Sequence, residues 1–187
     1  MKSTHCDIMK FYSPFILVLL SIFLSGCHNN QQDDKNDGPT PQEINKELIP
    51  SQIKYIRQET DEINQYIKLH NYPMQNTGTG IRYMIYEHGT GPLVRPGQYV
   101  QITYIINLLD GTVCYDSKQD GAREFCVGKD DVESGVHQAV QLMHQGDKGL
   151  FIIPSYLAQG IAGDRDKIPP SAVVIYDISL LKVQDRQ

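Results

Sequence analysis

The 187-residue chain has no tryptophan and only four cysteines, too few for a dense disulfide framework. Positive charge is also short: 17 Lys and Arg against 22 Asp and Glu leave a formal net charge of −5. A chain without a basic excess has no electrostatic footprint for phosphates, so no nucleic-acid partner is expected. Catalytic signatures are missing as well. No GxSxG, HExxH or CxxC occurs, the GxG runs are turn glycines, and the six His do not cluster at metal-ligand spacing, so neither metal nor cofactor is expected. The one long apolar run, residues 15–24 (FILVLLSIFL), is too short to span a bilayer as a stable helix. What remains is a soluble globular composition, 40% hydrophobic and 21% charged, at a length that fits one ordinary domain with appendages or two very small ones.

The apolar run suits the h-region of a secretory signal, with Lys10 as its positive n-region; Met9 would start a more typical signal than Met1. Leu24-Ser25-Gly26-Cys27 follows and resembles a bacterial lipobox, in which the cysteine thiol receives a diacylglyceryl group and cleavage precedes it. The expectation is a signal peptide over 1–26 and a lipid on Cys27. That would hold the protein to a bacterial membrane, the outer one by expectation, with its domain in the periplasm or at the surface. Residues 27–39 are polar and read as a disordered tether. Asp33-Asp34 within it reads as a solvated charge run, although it is similar to surface-export signals of some Bacteroidetes lipoproteins.

A helical arm is expected over 40–72. Thr40-Pro41-Gln42-Glu43 is a capping box with Pro at the first helical position, opening a short helix that stops before Pro50. A second helix should run from about 51 to 70, where Ile53, Ile56, Thr60, Ile63 and Ile67 form an apolar stripe. The stripe packs on its own domain in the simpler reading, and pairs with a second copy of the chain in the other. Residues 71–80 are a turn-rich break.

The domain, 78–187, reads as antiparallel strands around one short helix, an α+β architecture. Val100, Ile102, Tyr104, Ile106 and Leu108 alternate with polar residues as a half-buried strand, and Asp110-Gly111 marks a hairpin. A return strand at 113–116 and another at 124–127 flank a polar loop. A helix over 135–146 places Val136, Ala139, Val140 and Met143 on one face, with Gly146 as its stop. Residues 150–153 and 172–183 are buried strands, the second with Val174, Tyr176, Ile178 and Leu180 inward. Ile105, Val173 and Ile175 lie on the opposite strand faces, an apolar outer surface that the arm's stripe should cover.

A series of landmarks in this domain carries a resemblance. In order they are Gly89-Thr90-Gly91-Pro92, Pro96-Gly97, Asp110-Gly111, Tyr115-Asp116-Ser117, Phe125-x-Val127-Gly128, Met143-x-x-Gly146-Asp147, Ile153-Pro154-x-x-Leu157-Ala158-x-Gly160 and Ile168-Pro169-Pro170. They resemble an FKBP-type peptidyl-prolyl isomerase domain over about 95 residues, and with the anchor and arm they are similar to the gliding-motility-associated FKBP lipoproteins of Bacteroidetes. The resemblance implies an antiparallel half-barrel wrapped around one helix. It also implies a pocket walled by Tyr104, Tyr115, Val132, Ile168 and Tyr176, with Asp116 at the rim. The clients would be Pro-containing unfolded or exported polypeptides.

Departures from the family pattern temper the expectation. Val136 stands where the family usually has the Trp of the pocket floor, Gln159 where it has a Tyr that donates to the substrate, and Arg123 where it has an aromatic. Glu133 stands where it has an Ile whose backbone N–H meets the substrate carbonyl. These imply weak isomerase activity, or a binding module with little catalysis. Cys114 and Cys126 are expected as free thiols, and His137 and His144 as solvated residues on one side of the helix.

Overall fold

The structure, a computed structural model, describes residues 41–185, with side chains from Pro50 onward. The expected signal peptide, the lipidation site Cys27, the tether and the capping Thr40 lie outside the described residues.

Helix α1 (Pro41–His70) runs unbroken through Pro50. The expected stop before that proline does not occur. Pro50 is exposed, and the helix continues through it. The helix ends as its sequence indicates, with Asn71 in the left-handed region (φ 52°) and the Tyr72 N–H returning to the Ile67 carbonyl at 3.2 Å. Among the described residues no helix is long and apolar enough to cross a membrane.

Seven strands follow: β1 (Gln75–Asn76), β2 (Arg82–Glu87), β3 (Tyr99–Leu108), β4 (Val113–Asp116), β5 (Arg123–Cys126), β6 (Lys148–Ile153) and β7 (Val174–Gln184). They form one antiparallel sheet in the order β1-β2-β6-β7-β3-β4, with β5 pairing the other half of β3. Two short helices interrupt them, α2 (Ser117–Asp120) and α3 (Ser134–Val140). Tyr83 and Ile85 of β2 alternate toward the core, a period-two signal within the segment that the sequence reading left unassigned.

The register between β3 and β7 pairs Ile106 with Tyr176, Tyr104 with Ile178 and Ile102 with Leu180, so one face of both strands is the core. Val136, Ala139, Val140 and Met143, all fully buried, fill the concavity of that face. Gly135 permits the approach: a Cβ there would lie 2.8 Å from the Leu157 carbonyl oxygen. Helix α3 ends at Val140 rather than at Gly146. Gly146 (φ 96°) serves a different contact, since a Cβ there would meet the Gly89 Cα at 3.0 Å. The Gly89 N–H is in turn held by the buried Asp147 carboxylate at 2.6 Å.

The outer face is covered in part as expected. Ile63 (1% exposed) and Ile67 pack with Ile152, Val173 and Ile175. Ile53 and Ile56 stay exposed at 46% and 42%, so only the C-terminal half of the stripe docks. Ile105 is not part of that cluster and lines a separate groove.

Candidate functional site

The expected wall residues converge on the concave side. Val136, Ile168 and Tyr176 are buried in the inner core, and Tyr104, Tyr115 and Val132 pack against it half-buried. Tyr104 comes from β3, Tyr115 from β4, Tyr176 from β7, Val132 from the turn before α3, and Ile168 from the loop between β6 and β7. That loop is pinned by Asp164, whose carboxylate accepts the Tyr115 hydroxyl at 2.5 Å and the N–H groups of Asp166 (2.9 Å) and Ile168 (2.8 Å). The Lys167 ammonium caps the Tyr115 ring, 4.6 Å from its centroid. Burial works to raise the Asp164 pKa, yet these hydrogen bonds outweigh it and hold the carboxyl below its ordinary value.

Three of the departing residues meet at one point. The Glu133 carboxylate accepts from Arg123 Nη1 (3.2 Å), Gln159 Nε2 (2.5 Å) and the Tyr176 hydroxyl (3.4 Å). Glu133 occupies the N-cap position of α3 but makes no side-chain cap bond, because its carboxylate turns to these partners. Burial, with the Glu133 charge second, raises the Tyr176 hydroxyl pKa well above its ordinary value. Tyr104 is raised by burial first and by Asp120 second. Both phenols are therefore neutral donors at physiological pH. Val136 is wholly covered, so it underlies the site without presenting surface to a ligand.

Asp116 is placed differently from the expectation. Its cross-strand partner is Ile105, on the outer face, and its Oδ1 caps α2 by accepting the Lys118 N–H at 2.8 Å. With Thr103, Tyr104, Ile105, Asp177 and Ser179 it lines a groove of about 290 Å³ that Tyr104 shares with the inner face. Among the charges felt by the Tyr104 hydroxyl Asp120 comes first, ahead of Arg123 and Glu133. His137 is not solvated: its Nδ1 accepts the Gly128 N–H at 3.0 Å, leaving Nε2–H to donate to the Asp130 carbonyl at 3.1 Å. His144 lies beyond α3 and sits 3.7 Å from Asp147. Cys114 and Cys126 are free and buried. They sit against opposite ends of β3, roughly 25 Å apart at ~3.3 Å per residue, beyond disulfide reach. No group of three or more His, Cys, Asp or Glu among the described residues could hold a metal ion.

Sequence reasoning missed Asp164 and Asp120 as shapers of the site. Asp164 lies in a polar loop and Asp120 ends the short polar helix α2, where nothing in the local pattern distinguishes a structural carboxylate from a solvated one.

This arrangement, a half-barrel closed over one helix with tyrosines on its inner face, is that of a peptidyl-prolyl isomerase fold. A family model described as FKBP-type peptidyl-prolyl cis-trans isomerase matches residues 91–181. The match covers just under half of the chain, and over those residues the chain is similar to the FKBP-type family. A probable FKBP-type peptidyl-prolyl cis-trans isomerase FkpA of Neisseria meningitidis is 34% identical over 110 residues, covering 59% of this chain and 40% of the relative. A probable FKBP-type isomerase of Haemophilus influenzae is 25% identical and covers 98% of this chain and 78% of its own. Among solved structures, FkpA from Escherichia coli superposes with a TM-score of 0.58 at 25% identity, over 79% of this chain and 74% of that one. A peptidyl-prolyl isomerase from Pseudomonas syringae gives 0.60 at 28% identity, over 71% and 95%. The chain spans only 40% and 41% of the length of two of its curated relatives.

Proposed function

We propose that the chain is a peptidyl-prolyl cis-trans isomerase acting on exported polypeptides, anchored to a bacterial membrane by a lipid on Cys27. One observation supports the activity most: Tyr104, Tyr115, Val132, Val136, Ile168 and Tyr176, drawn from six separate segments, share one apolar cluster. An X-Pro amide isomerises over tens to hundreds of seconds because amide resonance opposes rotation by roughly 18–20 kcal/mol. Lowering that barrier requires no nucleophile or metal. An apolar wall desolvates the carbonyl and favours the twisted, less polar amide over the planar one. Neutral tyrosine hydroxyls offer donors without a proton-transfer step, so the rate should be flat between about pH 6 and 8, below the phenol pKa values. A protease-coupled proline-isomerisation assay on the full chain tests this. The expected result is a rate above buffer that falls on Tyr104→Ala; a rate equal to buffer would sink the enzymatic reading.

A second reading, a holder of Pro-containing segments with little catalysis, is favoured by the Glu133 cluster. A carboxylate, a guanidinium and an amide replace apolar contact at the wall, and polar groups in a desolvated site weaken binding of a proline ring unless they stay paired. Peptide affinity without rate enhancement would select this reading. Labelled lipid incorporated by the wild-type chain and lost on Cys27→Ser would test the anchor.

A further inference from the structure

Two side chains of α1 reach the loop that carries part of the pocket. Glu59 is only 4% exposed, and its Oε1 accepts the Ser155 N–H at 2.7 Å. One turn earlier, the Tyr55 hydroxyl donates to the Ser171 carbonyl at 2.9 Å. Ser155 and Ser171 stand at the two ends of the excursion that leaves β6 at Ile153 and rejoins the sheet at Val174. Gln159, bonded to Glu133, and Ile168, buried in the inner core, lie between them. The base of the excursion is closed by the Ser171 N–H on the Gly160 carbonyl at 2.8 Å.

Removing a carboxylate from water costs several kcal/mol unless it is paired. The Glu59 Oε2 atom has no hydrogen-bond partner among the described residues. The bond to Ser155 is directional and the only one this side chain makes among the described residues. Ile53 and Ile56 on the same turns are exposed, and a groove of about 420 Å³, lined by Tyr55, Glu59, Glu62, Leu109, Asp110 and Val173 among others, separates much of this half of α1 from the sheet. The link from this half of the helix to the loop is thus polar, point-to-point and at both loop ends.

We propose that α1 is a positioning element of the pocket: Glu59 and Tyr55 hold the two ends of the 154–173 loop and so set where Gln159 and Ile168 stand. This rests on the pocket reading given above. The test uses the full chain with Glu59→Leu, Glu59→Gln and Tyr55→Phe, and reads amide hydrogen exchange together with kcat and KM on an X-Pro tetrapeptide. Glu59→Leu should speed exchange across 155–171 by about tenfold, the equivalent of one lost hydrogen bond. Exchange in β3, β6 and β7 should stay as in the wild type, and the catalytic loss should fall mainly on KM. Glu59→Gln, which keeps an acceptor, should restore most of both. Tyr55→Phe removes one hydroxyl from an exposed side chain and keeps the test open should Glu59→Leu fail to fold. Unchanged exchange across 155–171 in folded variants, or faster exchange with unaltered kinetics, would overturn the proposal. A wild-type chain with no isomerase rate would instead sink the pocket reading, and the tether would then be judged by exchange and by affinity for a Pro-containing peptide.

Discussion

Glu133 carries three hydrogen-bonding partners at a position where an apolar side chain was the family expectation, and the same partners account for two further departures, Arg123 and Gln159. Sequence reading flagged these residues singly; only the fold shows that they form one unit, because they lie on β5, the α3 entry and the β6–β7 loop. Val136 has the opposite character. It is fully buried, so the site has closed around a small side chain. Val136→Trp should therefore destabilise by overpacking, by about 1–3 kcal/mol in urea unfolding, rather than restore a family-like floor. Asp164 gives a pH prediction. Its folded pKa lies below the ordinary 3.8. A depressed acid contributes stability that is complete above its unfolded pKa and is lost as the pH falls through the lower folded value. Asp164→Asn should thus lower the urea midpoint at pH 7 and bring the variant and wild-type midpoints closer together at pH 3.

Helix α1 illustrates what periodicity reveals and what it leaves open. The stripe from Ile53 to Ile67 marked the face that packs, and the turn-rich residues after His70 marked its end. Neither indicated that apolar packing begins only near Ile63, with Tyr55 and Glu59 making polar contacts before it, since the point where a helix meets a sheet depends on the lengths of the other elements. Pro50 signals a stop because a proline disfavours the helical region for the residue before it, yet the helix runs through this exposed position. The contrast yields a paired prediction. Ile63→Ala should cost about 2–5 kcal/mol in thermal or chemical unfolding, whereas Ile53→Ala should stay within about 0.5 kcal/mol of the wild type. Residues 78–187 alone would bare Ile152, Val173 and Ile175, and should be less soluble than 42–187; equal solubility would mean that the docked half of the stripe contributes little.

At the scale of the whole molecule, the half-barrel and its helix were legible because β3 and β7 alternate cleanly and α3 has a strict apolar face. Asp116 shows the limit of reading by resemblance: it pairs with Ile105 while Tyr115 pairs with Ile106, so strand alternation sets the two neighbours on opposite faces, where the resemblance had put both at the pocket. The sheet order places β7 between β6 and β3, in contact with both along most of its length. A chain cut before Val174 would leave two long strand edges unpaired and the Tyr176 and Ile178 positions empty. It should show no cooperative unfolding transition, as followed by circular dichroism.

The position of β7 also bears on timing. Of all the strands, the one that joins the two halves of the sheet is the last to leave the ribosome or a translocation channel. Until it arrives, β2 with β6 and β3 with β4 and β5 are separate pieces of sheet whose inner faces are wet. Closure then requires contacts between residues far apart in sequence, the kind that slow folding and prolong the exposure of apolar surface. During that interval Ile168-Pro169-Pro170, upstream of β7, has already emerged and is free to sample both isomers of its two X-Pro bonds, although neither is cis in the folded chain. The domain thus has X-Pro bonds of its own to set before its sheet can close.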